Sequence, residues 1–328
     1  MARKKTTPAP AGAREEGAIV PKPAKASAKS KSVKDRITER ASELAGVARE
    51  AKAVQIQLSI FPTWADDRRG APNEVIRSAI FGVVKRGPRK VVANLPVAGP
   101  ADTSITITGW RLDQYDLDIY LEIMHLARDT TPGTELRFSL HTILKRLHDT
   151  RHVGSTDKAW IMQRLKNLAE TTISFDEGRR AGTAGALITS FAVDKETGEG
   201  VITTNPKLRS LWDDITHLNI EQRRMLGGHQ LAKAMHAMLS SHATWYPMRL
   251  DTLMHRVGCD FERVRAFREQ VQHVLEDFLR REWIYSYKIG TGDGGLVEID
   301  KVRPPTQVRS VQRLQTGSDD AGTSALKG

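Results

Sequence analysis

Apolar residues recur with the same local spacing at two places in this chain, 110 positions apart. Leu140 answers to Leu250, Ile143 to Leu253 and Leu147 to Val257. Further on, Ile161 answers to Val271, Leu165 to Leu275, Leu168 to Phe278, Ile173 to Trp283 and Phe175 to Tyr285. The residues between them differ, as expected when a duplicated unit keeps its core and lets its surface diverge. Each copy reads as helix, short turn, second helix and strand pair. In a basic protein that order is the pattern of a winged helix-turn-helix, and two of them would read successive major grooves.

The flanking segments fill in the plan. Val33, Ile37, Leu44, Val47 and Val54 are spaced for one thin helical stripe over 33–55. The first globular unit is expected to begin near Pro72. Ile105–Thr108 is β-branched throughout and predicts a strand. Asp113 is placed to cap a helix carrying Leu117, Tyr120, Leu121 and Met124, and Leu136, Phe138 and Leu140 alternate into the next short helix. Ser155 is a candidate N-cap for a helix over 156–170. On a helical wheel Ile161, Leu165 and Leu168 face inward. Thr156, Ala159, Gln163, Lys166 and Asn167 face outward, with Lys158 and Arg164 nearer the inward side. Ala186–Val193 and Val201–Thr204 predict a hairpin whose acidic connection, Asp194–Gly200, is poorly suited to touch phosphate.

In the second copy Gln222–Ser240 reads as one helix and Asp260 as the cap of the third helix. The inward stripe there is Val264, Phe267, Val271, Leu275 and Phe278. Arg263, Arg265 and Arg268 crowd its first two turns, and guanidinium groups in that position suit phosphate and guanine. Glu262, Glu269 and His273 share the outward line, so the face is mixed. A second hairpin, Trp283–Ile289 and Leu296–Val302, closes on a glycine-rich turn. The alternative for both outward faces is an ordinary solvated surface.

Charge sharpens this reading less than the total implies. The chain of 328 residues carries a net charge of +11, but residues 1–36 hold ten Lys or Arg against three Asp or Glu. That Ala-, Pro- and Lys-rich stretch has too little apolar content to fold and is expected to be disordered. The remainder is mildly basic, so a DNA-binding role rests on where its charges sit. The single cysteine, Cys259, excludes an internal disulfide and fits a cytoplasmic protein. No apolar run reaches the length of a membrane span, and no hydrophobic segment follows the basic N-terminus.

Between the thin helix and the first unit lies Gln57-Leu58-Ser59-Ile60-Phe61, followed by Pro62. The pentapeptide resembles the motif by which bacterial proteins dock on the sliding clamp of the replicative polymerase. Leu58 and the Ile60-Phe61 pair would fill apolar pockets while Gln57 offers its amide at the rim. The alternative is a buried strand.

Several stretches together resemble the TrfA-type initiators of broad-host-range plasmid replication. They are the pentapeptide; Pro72-Asn73 with Arg77-Ser78-Ala79-Ile80-Phe81; Ser240-Ser241-His242, Tyr246-Pro247, Leu250, Thr252 and Gly258; and Arg263-Val264-Arg265 running into Phe267-Arg268-Glu269-Gln270-Val271. The resemblance covers about residues 55–290 and implies two winged-helix domains that bind tandem direct repeats (iterons) at an origin. It further implies opening of an adjacent AT-rich segment and recruitment of host helicase and clamp. Single-stranded DNA of the opened region, the host initiator and an inactive homodimer complete the expected partners.

The expectation is an α+β protein of two tandem winged-helix domains. Its parts are a disordered basic tail (1–36), a helix and clamp-binding linker (37–70), domain 1 (71–216), domain 2 (217–303) and a disordered C-terminal tail (304–328). The expected DNA-binding residues are Thr156, Lys158, Gln163, Arg164, Lys166, Arg263, Arg265, Arg268 and His273. No enzymatic constellation competes. Gly182-Thr183-Ala184-Gly185 lacks the ending of a phosphate loop. His148 and His152 have no accompanying metal-ligand set, so neither metal nor cofactor is expected. Asp116 with Asp118, or Asp213 with Asp214, reads as solvated helix termini rather than a nuclease pair. The competing function is a winged-helix repressor acting on its own promoter.

Overall fold

A computed structural model describes Thr38, residues 40–46 and residues 64–302, except 86, 101–102, 132, 149–153, 177–180, 261–262 and 293. The pentapeptide 57–61 and both expected tails lie outside the described residues. The chain divides into two compact units, Met1–Val54 and Gln55–Gly328. In the first, Thr38 and residues 40–46 are helical. Leu44, the one member of the expected apolar stripe among the described residues, is 66% exposed.

The second unit is α+β. It begins with β1 (Arg68–Pro72) and α1 (Asn73–Ile76), followed by β2 (Val91–Val97), β3 (Ser104–Trp110) and α2 (Gln114–Ala127). Next come β4 (Glu135–Ser139), α3 (Leu140–His148), α4 (Ser155–Glu170), β5 (Thr172–Asp176), β6 (Ala181–Ala186), β7 (Ile188–Val193) and β8 (Glu199–Thr204). After a short 3-10 helix, Pro206–Asp213, the order is β9 (Ile215–Asn219), α5 (Ile220–Met225), α6 (Gln230–Ser241), β10 (Met248–Arg249), α7 (Leu250–Arg256), α8 (Val264–Arg280), β11 (Ile284–Ile289) and β12 (Leu296–Lys301).

Folding starts earlier than the expected Pro72. Trp64 is buried, stacks 6.3 Å from Trp212 and donates from Nε1 to His125 Nδ1 at 3.0 Å. The strand that follows, β1, pairs antiparallel with β9. The expected boundary at 216–217 therefore falls inside a strand. An aromatic anchor isolated among polar residues has no periodicity, which is why sequence patterning does not place it.

The repeat is real in the elements but shifted in the strands. In each copy one strand precedes the helix pair and pairs with the hairpin that follows it, β4 before α3 and α4 in the sheet β4-β8-β7, and β10 before α7 and α8 in the sheet β10-β12-β11. Even the irregularities coincide: pairing slips between Ile188 and Ser190 in one hairpin and between Ile284 and Ser286 in the other. Leu140 N donates to Gly198 O at 2.9 Å, and Leu250 N to Gly295 O at 3.1 Å, so each hairpin is tied to its helix pair at the same place. Ile161, Leu165, Leu168, Val271, Leu275 and Phe278 are all buried, as the wheel requires.

The equivalences Ile173–Trp283 and Phe175–Tyr285 do not hold. β5 joins a separate sheet, β2-β3-β5-β6, and the counterpart of buried Ile284 is buried Ile188. A hairpin, β5–β6, is inserted between α4 and the hairpin β7–β8 in the first copy. Any alternating strand that leaves a helix matches any other, so spacing alone could not detect it. The single helix expected over Gln222–Ser240 is two, because Gly227 turns left-handed at φ +51° and ends α5.

Helix starts also differ by a few residues. Asp113 caps α2 as expected, accepting from the backbone of Tyr115 and Asp116, while Asp116 returns a bond to the Asp113 backbone. The N-cap of α4 is Gly154, not Ser155, and its N–H is held by Asp157 Oδ2 at 2.9 Å. Asp260 does not cap α8. Its N–H goes to Val83 O at 3.2 Å, and α8 starts at Val264 with Arg263 in the N-cap position and no side-chain cap.

Candidate nucleic-acid interface

Two helices carry the expected DNA-binding residues, and the fold fixes one against the other through buried polar contacts. Asp118 accepts from both Arg223 and Lys233, and Arg223 also donates to Gln114 Oε1 and Lys233 O, each at 3.0 Å. Gln230 Nε2 reaches Asp113 Oδ2 at 3.0 Å. Arg111 Nη2 meets Gly258 O at 3.1 Å, while Val83 N bonds back to Val257 O at 3.1 Å. A Cβ on Gly82 would lie 2.0 Å from Arg111 Nη2, so glycine is needed for this close approach. Asp118 and Arg223 are almost wholly buried, and the two cations hold the Asp118 carboxyl below its ordinary range against the cost of burial. Asp116 and Asp118 are thus ion-pair partners inside the protein rather than solvated helix termini.

On α4, Thr156, Gln163 and Lys166 are exposed. Gln163 Nε2 donates to Asn167 Oδ1 at 3.0 Å, and Lys166 lies 3.8 Å from Glu170. Lys158 is half-buried, its Nζ 3.5 Å from where a Cβ on Gly198 would stand in the turn of the hairpin β7–β8.

Two expectations for this helix fail. Asn167 is buried rather than outward. Arg164 is turned inward, with only 13% of its side chain exposed; it pairs with Asp113 at 3.0 Å and Asp116 at 3.2 Å. Its guanidinium lies 5.2 Å from the Trp160 ring and 5.5 Å from the Tyr115 ring. The reason is angular: Arg164 occupies the helical position that Val274 occupies 110 residues later, and Val274 is core. With Arg89 also in contact, Asp113 and Asp116 form a two-carboxylate, two-guanidinium cluster. Burial, then the neighbouring Asp113, pushes the Asp116 carboxyl up to about 6.

On α8, Arg263 is exposed at the helix start, and Arg265 has 85% of its side chain exposed, 3.7 Å from Glu269. The described first turn of α8 holds no acidic residue to offset those charges. Arg268 is more enclosed. It donates to Gly290 O and, at 2.6 Å, to Gly292 O, both in the turn of the hairpin β11–β12. His273 is 73% exposed and 3.6 Å from Glu276. Five residues beyond Arg268, it is turned roughly 140° around the axis. There it lines a groove of about 620 Å³ with Met225, Gly227, His229 and Arg281, away from the hairpin side.

Arg249 was not anticipated. It precedes α7, pairs with Asp251 at 2.9 Å, and approaches the hairpin turn so closely that a Cβ on Gly294 would meet its Nη2 at 2.7 Å. It belongs to a two-residue strand, too short for any alternation to show. Among the described residues no group of three His, Cys, Asp or Glu could hold a metal ion, and no helix is long and apolar enough to cross a membrane.

The fold is thus a repeated helix–helix–hairpin unit with exposed basic side chains on the second helix of each copy. The chain belongs to the TrfA protein family, whose model matches residues 25–288. It is 27% identical over 248 residues to the plasmid replication initiator protein TrfA of Escherichia coli, a match covering 73% of this chain. The chain spans 64% of that relative's length. Solved structures with partial likeness include the Pi initiator protein in complex with iteron DNA, at TM-score 0.44 and 12% identity, covering 58% of this chain and 94% of that one. Domains 2 and 3 of RctB follow at TM-score 0.49 and 12% identity, covering 70% and 98%.

Proposed function

We propose that this chain is a plasmid replication initiator acting through binding energy and recruitment, with no catalytic step of its own. In this reading each helix–helix–hairpin unit is a winged helix, α4 and α8 are the recognition helices, and the target is a set of direct repeats at an origin. The observation that carries the proposal is the start of α8. Arg263 and Arg265 crowd a helix end whose dipole disfavours cations, and they extend into solvent. Such an arrangement is costly for the free protein and favourable beside a polyanion.

Family membership supports the plasmid setting, since the relative named above is an initiator. Thr156, Gln163 and Lys166 contact DNA from the first recognition helix, with Arg263 and Arg265 on the second and His273 at its margin, while Lys158 and Arg268, which face the hairpin turns, support them. Gln57–Phe61 recruits the sliding clamp. Opening of the duplex, engagement of its single strands, contact with helicase and host initiator, and a resting homodimer follow from the same reading.

Footprinting on DNA flanking the protein's own gene tests it. A tandem array of protected direct repeats is expected. A single palindromic site over a promoter would instead identify a repressor.

A further inference from the structure

We infer that Arg268 is a positioning residue that locks the hairpin β11–β12 to α8, so that helix and hairpin meet DNA as one rigid body, with Lys158 as its counterpart in the first copy. This rests on the DNA-binding reading above for its purpose, but its structural content stands apart from that reading.

Three observations carry it. First, the Arg268 guanidinium already has protein partners, the carbonyl oxygens of Gly290 and Gly292, on one side of the hairpin turn. Charge-assisted bonds of this kind are the stronger class. Second, the turn is built to admit it. A Cβ on Gly295 would lie 2.8 Å from Arg268 Nη2 and 2.2 Å from Gly290 O, so any larger residue would push the turn away from α8. Third, the device recurs. Lys158 stands 110 positions before Arg268, at the same place on its helix, and its ammonium lies over Gly198 in the other hairpin turn.

Gly198 and Gly295 are also the two glycines whose carbonyls accept from Leu140 and Leu250. Each turn is therefore bonded from the start of one helix, and the flank of the next approaches it, with Arg268 donating to the second turn and Lys158 lying close to the first. The Arg268 contact is the tighter, because a guanidinium can hold two carbonyls at once.

The consequence differs from that of a phosphate contact. A residue that neutralises a phosphate releases counterions and lowers the salt slope of binding by about one unit when removed. A residue that orders a hairpin leaves the slope alone and weakens binding through lost preorganisation.

The test uses the full chain as parent, Arg268→Ala, Arg268→Lys and Gly295→Ala. Amide hydrogen exchange is followed in the free proteins across residues 290–296, where Gly290 N bonds to Leu296 O and Gly295 N to Gly292 O. Binding to a random-sequence duplex is measured over a salt series.

Arg268→Ala is expected to speed exchange in the turn by at least about tenfold, the low end for losing bonds to a charged group, and to weaken duplex binding at unchanged salt slope. Gly295→Ala should reproduce both effects with every arginine in place, and Arg268→Lys should restore part of each. Unaltered exchange in Arg268→Ala overturns the inference, as does a slope reduced by one unit with exchange unaltered. If the parent fails to bind the duplex, the DNA-binding reading fails, and the exchange data still decide the tether.

Discussion

At the scale of single residues, burial separates side chains that composition cannot. Arg164 and Arg265 are both basic residues on presumed recognition helices. One has 13% of its side chain exposed between two carboxylates, and the other 85%. Arg164→Ala is expected to leave the salt slope of DNA binding unchanged and to lower unfolding free energy by about 3 kcal/mol, because Asp113 and Asp116 lose a buried partner. Urea denaturation of the variant measures this, and a stability equal to the parent's would count against it. For Arg263→Ala and Arg265→Ala the expectation reverses. Folding stability stays within about 0.5 kcal/mol, while each change lowers the salt slope by about one unit if its target is phosphate. If the target is a base, each costs roughly 1–3 kcal/mol at one position of the site. A salt series on wild-type and single-substituted duplexes separates these cases, and unchanged binding in the double variant would remove the start of α8 from the interface. The arginine cluster was legible because three like charges in two turns need no tertiary information. The side of the helix on which Arg164 sits, nearer the inward stripe, was legible, but its ion-pair role was not, because its partners Asp113 and Asp116 lie about 50 residues away in the chain.

At the scale of elements, periodicity succeeded where both partners of a contact lie on one helix. The inward stripes of α4 and α8 are the clearest case. It failed where the answer depends on which strand pairs with which: β5 and β11 look alike by alternation, yet β5 lies between β3 and β6 while β11 pairs with β12. Local pattern sets the face a strand presents, but only long-range pairing sets the sheet it joins. The pentapeptide is a different kind of element, a short segment whose purpose would lie outside the fold. It ends three residues before Trp64, the first side chain of the described core. Leu58→Ala with Phe61→Ala is expected to weaken capture of purified sliding clamp by thirtyfold or more, since truncating a buried anchor costs about 2 kcal/mol. Melting temperature and DNA affinity should stay at parental values. If both fall together, Leu58 and Phe61 are core residues, and the recruitment reading gives way.

At the scale of the whole second unit, its two repeats are coupled by buried charges as well as by apolar packing, and that coupling gives stability a defined pH dependence. Burial, then nearby arginines, lowers His125 and His236 to about 3, so both are neutral in the folded protein. His125 accepts from Trp64, and His236 Nε2 lies 3.2 Å from Gln222 Oε1. In the unfolded chain an ordinary histidine titrates near 6.5. Between about pH 6.5 and 3 the unfolded state therefore binds up to two more protons than the folded state at these sites, and stability falls as pH falls. His217 and His242 are lowered by burial as well and act in the same direction. Asp116 opposes them. Its carboxyl is raised from 3.8 to about 6, so across that interval the folded state holds the extra proton and stability falls as pH rises. Two buried histidines against one carboxylate leave a net loss toward acid of at least about one proton, roughly 1.4 kcal/mol per pH unit. The slope should steepen below about pH 4, where Asp116 is protonated in both states and Asp118, held low by Arg223 and Lys233, stays charged in the folded protein while the unfolded chain takes up its proton. Urea unfolding of the parent between pH 4 and 7.5 should show stability flat above 6.5 and declining below it. His236→Gln should reduce the slope by about one proton, and Asp116→Asn should increase it by about the same amount. The second variant is the sharper test, because a merely fragile acidic state would make every substitution steeper or none. Opposite shifts in the two variants require the neutral histidine and the raised carboxyl to act as separate, opposing groups in one folded unit.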